Sequence, residues 1–188
     1  GAGLNEAVNI TATGTITKEQ ADIIEAATNS GSNIYTLAGG GSNTGVIRGN
    51  SYYKIVDGPL WTQAEANAVN LGGHLVTIND QSENVYLLIE FNIKGEGYWI
   101  GLNDENIEGN WQWSNNESTT YRNWLDDTAT GGNGTPNGFS SENHAYIGGY
   151  VDGTWDDQPD NSPVPTLNKG IAEIPLSYFS ISNLAITE

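Results

Sequence analysis

The sequence predicts an α+β fold, because one strand pattern precedes two helical patterns, several short strands and one long loop. Within the main domain, the strand pattern covers residues 52–56, and the two helical patterns follow before residue 92. From residue 98 onwards the helical period is lost, and short aromatic segments typical of strands take its place. Residues 124–141 are rich in Gly, Asn and Thr and fit neither pattern. A loop of this length in a compact domain is usually functional or disordered.

The first helix is marked at both ends. Thr62, with Glu65 three residues later, forms a capping-box pattern that predicts the helix start. Ala64, Ala68 and Leu71 then lie on one helical face, and a Gly pair follows as a stop signal. The sequence therefore predicts a helix that packs through its small apolar face.

The second helix is predicted to begin at Ser82 and to carry Val85, Leu88 and Ile89 on one side. The aromatic segments after it predict short strands at 98–102, 111–113, 144–148, 154–156 and 170–174. Large aromatic side chains are usually buried, so four tryptophans are expected in the core: Trp99, Trp111, Trp113 and Trp155.

The chain is expected to have three parts. Residues 1–46 carry a strand pattern at 8–16, a helix from Thr17 and a strand at 34–37, and form an N-terminal flanking segment. Residues 47–175 form the main domain, and residues 176–188 form a tail with a strand pattern. A strand from each end is expected to pair, since the termini of a domain often lie together.

The charge balance limits the partners. Lys and Arg total 6 against 23 Asp and Glu, giving a formal net charge of -17. This excludes the basic patches that recruit nucleic acid or anionic membranes, and no apolar run is long enough for membrane insertion. Clustered carboxylates suit a divalent cation, although an acidic surface can also serve solubility alone. The chain has no Cys, so neither a disulfide nor a thiolate metal site is available.

Five motifs then occur in one order: LGGHLVTI at 71–78, WIGL at 99–102, EGNWQWS at 108–114, NW at 123–124 and WDD at 155–157. Together they resemble the C-type lectin-like domain between residues 50 and 175. The resemblance implies two helices, short antiparallel strands and a long calcium-binding loop. His144 and Ala172 stand where the family normally has Cys. In this respect the chain is similar to disulfide-free bacterial members in the ligand-binding region of large, calcium-dependent RTX-type surface adhesins.

The resemblance also implies a calcium site in the long loop and the strand after it. Its ligands would be Asn137, Glu142, Asp156 and Asp157. Thr135 stands where the family has Glu or Gln, and its uncharged hydroxyl is a poor calcium ligand. Calcium takes six to eight oxygen ligands, so two sugar hydroxyls would complete the shell. The sugar would then contact Asn137, Glu142, Asp156 and Thr135.

Other interpretations of these acidic residues stay open. Asp126 and Asp127 are candidates to replace the missing carboxylate, and residues 134–138 also have the composition of an ordinary turn. Residues 158–160 spell the galactose-type triplet Gln-Pro-Asp, but they follow the WDD strand and fit a turn. An auxiliary calcium site is implied at Asp104, Glu108, Glu142 and Asn143, which equally suit a solvated acidic loop.

The expected function is calcium-dependent binding of a carbohydrate of the mannose, glucose or fucose type. The setting expected from the resemblance is a module of a longer bacterial adhesin at the cell surface, extracellular, attaching to glycans. The alternative is a lectin-like module that binds protein or ice without sugar. An enzyme is not expected, since Cys is absent and His74 and His144 lack metal-ligand spacing and nucleophile partners.

Overall fold

A computed structural model of the chain describes residues 9–12, 45–93, 95–150, 152–162, 164–175 and 184–187. In chain order the elements are β1 (Asn9–Ala12), β2 (Val46–Arg48), β3 (Ser51–Asp57), α1 (Trp61–Asn70), β4 (His74–Leu75), α2 (Gln81–Glu90), β5 (Tyr98–Asn103), β6 (Gln112–Trp113), β7 (His144–Ile147), β8 (Trp155–Gln158), β9 (Lys169–Pro175) and β10 (Leu184–Thr187). The α+β class and the lectin-like arrangement of two helices with short strands are confirmed. The predicted helix from Thr17 and the strand at 34–37 lie outside the described residues.

The chain divides into two compact units, residues 1–54 with 175–188, and residues 55–174. In the first unit β1 pairs antiparallel with β10, so a strand from each end of the chain meets the other. The same unit contains the β2–β3 hairpin, in which Gly49 has φ +59° at the turn, a conformation that glycine adopts without strain. The assignment of 1–46, 47–175 and 176–188 as separate parts stays a prediction.

The second unit is built on strands in the order β9-β5-β7-β8, with β4 added to β9 and β6 added to β5. The β5–β7 and β7–β8 pairs are antiparallel, as expected. The β5–β9 pair, which joins Trp99 to Gly170, is parallel, so the sheet is mixed. This order places β8 at one edge of the sheet, where the long loop reaches it.

The capping box predicted at the start of α1 is wrong. Thr62 donates from its backbone N and its hydroxyl to the carboxylate of Asp160, at 2.8 and 3.0 Å. Glu65 instead accepts from Leu75 N and contacts His74 Nδ1 at 2.6 Å. The N-terminus of α1 is therefore capped by a side chain distant in sequence.

The second helix differs from its prediction at its start and on its buried face. Asp80, not Ser82, precedes the helix and accepts a hydrogen bond from Glu83 N at 2.8 Å. The buried residues of α2 are Glu83, Asn84 and Leu87, while Val85 is 40% exposed and Ile89 is 70% exposed. The predicted apolar side was wrong because polar Glu83 and Asn84 have partners in the protein. Asn84 Oδ1 accepts from Trp155 Nε1 at 2.8 Å.

The core of the second unit is formed by tryptophan side chains whose N–H groups are all paired. Trp99 and Trp155 are fully buried, and Trp99 Nε1 donates to Gly58 O at 3.2 Å. Trp61 Nε1 donates to Ile100 O at 2.8 Å. Burial of an indole is favourable when its one polar group finds an acceptor, so these bonds fix the helices against β5 and β8. No helix in the described ranges has the length and apolar character that a bilayer crossing needs.

Candidate functional site

Strand β8 positions the two adjacent aspartates of the predicted calcium site. Alternation along the strand buries Trp155 and Asp157 and leaves Asp156 and Gln158 partly exposed. Asp157 is 1% exposed. An ionisable side chain is rarely buried to this extent unless other groups of the protein pair with it. The same face that carries the core tryptophan therefore carries a buried carboxylate.

The long loop supplies the partners of that carboxylate. Asp157 accepts hydrogen bonds from Asn137 N at 3.1 Å and from Gly138 N at 3.1 Å. The loop begins along β8, where Trp155 N donates to Asn123 O at 2.8 Å and Leu125 N donates to Trp155 O at 2.9 Å. The loop is thus anchored to β8 at its start and again over Asp157.

Asp156 is held differently from its neighbour. Its carboxylate accepts from the Tyr146 hydroxyl at 3.1 Å and from Asp157 N at 2.9 Å. The Glu142 carboxylate packs over Gly138, where a Cβ atom would lie 2.0 Å from Oε2. Residue 138 must therefore lack a Cβ atom for the Glu142 side chain to pack in this position.

The pKa values of Glu142, Asp156 and Asp157 are all raised, and burial is the largest cause in each case. Burial raises the pKa of Glu142, and the negative charges of Asp157 and then Asp156 raise it further. Hydrogen bonds from Asn137 N and Gly138 N act in the opposite direction on Asp157. The site thus concentrates negative charge that its own donors only partly offset.

A cleft of about 530 Å³ opens beside the loop. It is lined by Glu108, Gly109, Trp111, Asn133, Pro136, Asn137 and Asp157. Of the predicted ligands, Asn137, Asp157 and Glu108 thus share one cleft. Asp156 and Glu142 do not line it.

Of the residues predicted for the auxiliary calcium site, Asp104 and Asn143 are in direct contact. Asp104 N donates to Asn143 O at 3.1 Å, and Asp104 Oδ2 accepts from Gly109 N at 2.8 Å. Asp104 is 3% exposed, and both its Oδ1 and the Oδ1 of Asn143 are buried without a hydrogen-bond partner. Glu108 is exposed and faces the cleft. Asp104 and Asn143 therefore carry buried oxygens in need of a donor or a cation.

Asp126, Asp127 and Thr135, the other candidate ligands of the loop, form hydrogen bonds within the loop and to β8. Asp127 Oδ1 accepts from Gly134 N at 2.8 Å, and Asp126 Oδ1 accepts from the Thr128 hydroxyl at 2.6 Å. The Thr135 hydroxyl donates towards Trp155 O at 3.0 Å and Leu125 O at 3.3 Å. These three side chains fix the shape of the loop against β8.

The two histidines have structural partners. His74 Nδ1 contacts Glu65, as described above. His144 is 3% exposed, with its ring centroid 4.6 Å from that of Trp61 and its Nε2 2.8 Å from Glu105 Oε1. The Gln-Pro-Asp turn also has a structural use, since its Asp160 caps α1.

The donor set suits calcium in its chemistry, because every candidate except Thr135 offers a carboxylate or amide oxygen. Asp104 and Asn143 supply two buried oxygens without partners. Burial raises the pKa of Glu142, Asp156 and Asp157, and the negative charge of Asp156 further raises the pKa of Glu142 and of Asp157. Among the residues that the structure describes, no three Asp, Glu or His side chains form a group arranged to share one metal ion.

Residues 59–167 match the model of the Lectin C-type domain family. The chain belongs to this family. It is 33% identical over 112 residues to a perlucin-like protein of Mytilus galloprovincialis, covering 57% of this chain and 67% of that protein. It is 32% identical over 108 residues to a type-2 ice-structuring protein of Brachyopsis segaliensis, covering 57% and 58%. The chain thus spans between 58% and 67% of the length of these two relatives.

Two solved structures are similar over most of the domain. A calcium-independent type II antifreeze protein has a TM-score of 0.58 at 27% identity, covering 70% of this chain and 91% of the other. The carbohydrate-recognition domain of cow CD23, determined in the presence of a GlcNAc2Man3 oligosaccharide, has a TM-score of 0.57 at 27% identity, covering 70% and 92%. The relatives are thus lectins and other binding proteins.

Trp111 is the site residue that the sequence did not predict. It was expected in the core, but it is partly exposed and lines the cleft. Strand β6 begins at Gln112, so the alternation that buries Trp113 does not extend to Trp111. The sequence Trp-Gln-Trp indicates a strand, but it does not indicate at which residue β6 begins to pair with β5.

Proposed function

We propose that this C-type lectin-like domain binds carbohydrate with the help of calcium at the cleft beside its long loop. The observation that carries the proposal is the meeting of Trp111 with Asn137 and Asp157 in one cleft. A sugar ring presents an apolar C–H face and polar hydroxyls, and a binding site for it needs an aromatic surface beside a few placed polar groups.

Calcium is the proposed cofactor, with Asn137, Glu142, Asp156 and Asp157 as its ligands. When bound, it would supply a cation able to coordinate two neighbouring sugar hydroxyls. The raised pKa values of Glu142, Asp156 and Asp157 support this, because burial and then neighbouring negative charge disfavour the ionised carboxylates, and a bound divalent cation would offset both effects. Thr135 supports the loop, and its hydroxyl oxygen keeps lone pairs that a ligand role would use.

A second calcium ion is proposed at the auxiliary site, held by Asp104, Glu108, Glu142 and Asn143. The buried Asp104 Oδ1 and Asn143 Oδ1 support it, because a buried oxygen without a donor is costly. Both atoms are oxygens of the kind that calcium prefers. This ion would hold the 104–109 turn to the residues just before β7.

The proposed sugars are of the mannose, glucose and fucose type. Asn137 is exposed at the cleft, and its amide offers both a donor and an acceptor, whereas an ionised Asp only accepts. Two neighbouring sugar hydroxyls can form hydrogen bonds with such an amide, one accepting from its NH2 group and the other donating to its carbonyl oxygen. In an inhibition assay, methyl mannoside should compete for binding, and inhibition by galactose alone would contradict the assignment.

The test is a glycan array probed with the protein in calcium and again in chelator. Signal on mannose-, glucose- or fucose-bearing glycans that disappears in chelator supports the proposal. Signal that persists in chelator shows sugar binding without calcium. Absence of signal under both conditions refutes carbohydrate binding on this cleft.

A second candidate function is ice binding without calcium or sugar. It is supported by the similarity to a calcium-independent type II antifreeze protein and by the lack of a preformed metal group in the part of the chain that the structure describes. Thermal hysteresis measured in chelator distinguishes the two functions. Freezing-point depression that chelator leaves intact would favour this candidate over the lectin.

The proposed setting is a bacterial adhesin, in which this chain is an extracellular module of a longer protein. The net charge of -17 and the absence of Cys support it, because such a domain folds without disulfide formation. Beads coated with the chain should attach to glycan-bearing cells in calcium, and free mannoside or chelator should release them. Attachment insensitive to both would speak against this role.

A further inference from the structure

A second cleft also has Trp111 in its lining. It has a volume of about 360 Å³ and is lined by Trp111, Gln112, Trp113, Asn116 and residues 117–120 and 122. None of the proposed calcium ligands contributes to it. Both clefts fall in the range of roughly 300–1,000 Å³ that is typical of small-ligand sites.

Trp111 forms a wall common to both clefts. Its ring is fixed by an edge-to-face contact with Trp124, with centroids 4.8 Å apart and planes at 67°. Its backbone oxygen accepts a hydrogen bond from Arg122 Nη2 at 3.0 Å. An indole held at both its ring and its backbone loses little freedom when a ligand packs on it, which favours binding.

The loop that closes the second cleft is also held in place. Arg122 Nη1 donates to Tyr121 O at 2.7 Å and to Thr119 O at 3.2 Å. The guanidinium carbon lies 5.5 Å from the centre of the Trp113 ring. Arg122 therefore joins Trp111, Trp113 and the 119–121 segment into one unit, so the second cleft is formed before any ligand arrives.

The lining of this cleft suits a neutral sugar. Gln112 and Thr120 are exposed and offer an amide and a hydroxyl to ligand hydroxyl groups. The Glu117 carboxylate accepts hydrogen bonds from the side-chain amides of Asn79 at 2.7 Å and Asn115 at 2.8 Å. It can also accept hydrogen bonds from the hydroxyl groups of a ligand. The same carboxylate, in a chain of net charge -17, disfavours uronic or sulfated sugars.

We propose that the domain recognises a neutral glycan chain, with one ring in the loop cleft and a following ring in the second cleft beyond Trp111. The inference rests on the proposed carbohydrate function of the first cleft. Trp111 contacts both rings, and Arg122 is a positioning residue that acts through Trp111 and the 119–121 segment.

Calorimetry in calcium tests this with methyl α-mannoside, α-linked mannobiose and α-linked mannotriose. The trisaccharide is expected to bind at least tenfold more tightly than the monosaccharide. Gln112→Ala is expected to weaken trisaccharide binding several-fold and to leave monosaccharide binding unchanged. Gln63→Ala, the same change at an exposed position of α1, is the matched control and should change neither.

The outcomes separate the inference from the function on which it rests. Equal affinity for one, two and three rings would overturn the second subsite and leave the proposed function intact. Tighter binding of the trisaccharide that both Gln112→Ala and Thr120→Ala leave unchanged would overturn its location. Failure of all three mannosides to bind in calcium would overturn this inference, whereas the proposed function is refuted by the absence of signal on the glycan array.

Discussion

The two proposed calcium sites differ in how far the protein satisfies their oxygens. At the loop site, Asp157 accepts from two loop amides and Asp156 accepts from Tyr146 and from its neighbour's N–H. At the auxiliary site, Asp104 and Asn143 each keep a buried oxygen without a donor. The loop site can therefore hold its shape through internal hydrogen bonds, while the auxiliary site depends on a group from outside.

The largest expected effect comes from Asp157→Ala. It removes a ligand charge and the acceptor of two loop amides, so sugar affinity in calcium should fall on the order of 100-fold, or about 2.8 kcal/mol. Trp155 stays in the core, so the fold should persist in circular dichroism. Calorimetry with methyl mannoside gives the affinity.

Asp160→Ala is the matched control for this change in charge. Because Asp160 caps α1, its loss should cost about 1 kcal/mol of stability and leave sugar binding intact. The reverse pattern, with binding lost in Asp160→Ala and kept in Asp157→Ala, would move the sugar site to the Gln-Pro-Asp turn.

Calcium should raise the melting temperature, and the auxiliary site should account for much of the increase. A ligand at 100 times its Kd stabilises by roughly 2.7 kcal/mol, which is about 5–10 °C for a chain of this size. Asp104→Ala should reduce the increase by about half, while the exposed Asp152→Ala should leave it unchanged. A melting temperature equal in calcium and chelator would contradict both sites.

The pH dependence of the calcium-free protein sharpens the comparison, because it reports on the loop site. The pKa values of Glu142, Asp156 and Asp157 are raised in the folded state, so the folded protein binds protons more tightly than the unfolded chain. Their contribution to stability in chelator should then be greatest below the unfolded-state pKa of about 4 and decline as pH rises through the raised values.

Urea unfolding at several pH values measures this decline. Glu142→Gln should make it shallower, because one of the coupled carboxylates no longer ionises. Glu90→Gln changes the total charge equally and should leave the slope as it is. An equal response of both variants would assign the decline to the overall charge of the protein.

The smallest expected effect is that of Thr135→Val. The change keeps the shape of the side chain and removes the hydrogen bonds to Trp155 O and Leu125 O, at a cost of about 0.5–1.5 kcal/mol. Calcium affinity, measured by titration, should stay within twofold of the original. A tenfold loss would show that the Thr135 hydroxyl is itself a ligand.

Much of the fold and part of the site could be predicted from the sequence. The strand predicted at 98–102, which spans 98–103 in the structure, and the WDD strand were found because their apolar and aromatic content is a local property. The buried side of α2 was missed, because the polar Asn84 is buried through its bond to Trp155, 71 residues away. Trp111 was misplaced for a related reason, since the start of β6 depends on its pairing with β5.

The sequence by itself determined the family, the element order and the position of Asp157 on the same strand face as Trp155. The family follows from five motifs in one order, the element order from successive local patterns, and the shared face of Trp155 and Asp157 from alternation within one strand. Tertiary structure alone decided that Asp160 caps α1 from 98 residues away, that the loop amides of Asn137 and Gly138 donate to Asp157, and that Trp111 lines two clefts. These contacts join segments far apart in the chain, and a local pattern holds no information on which distant groups will meet.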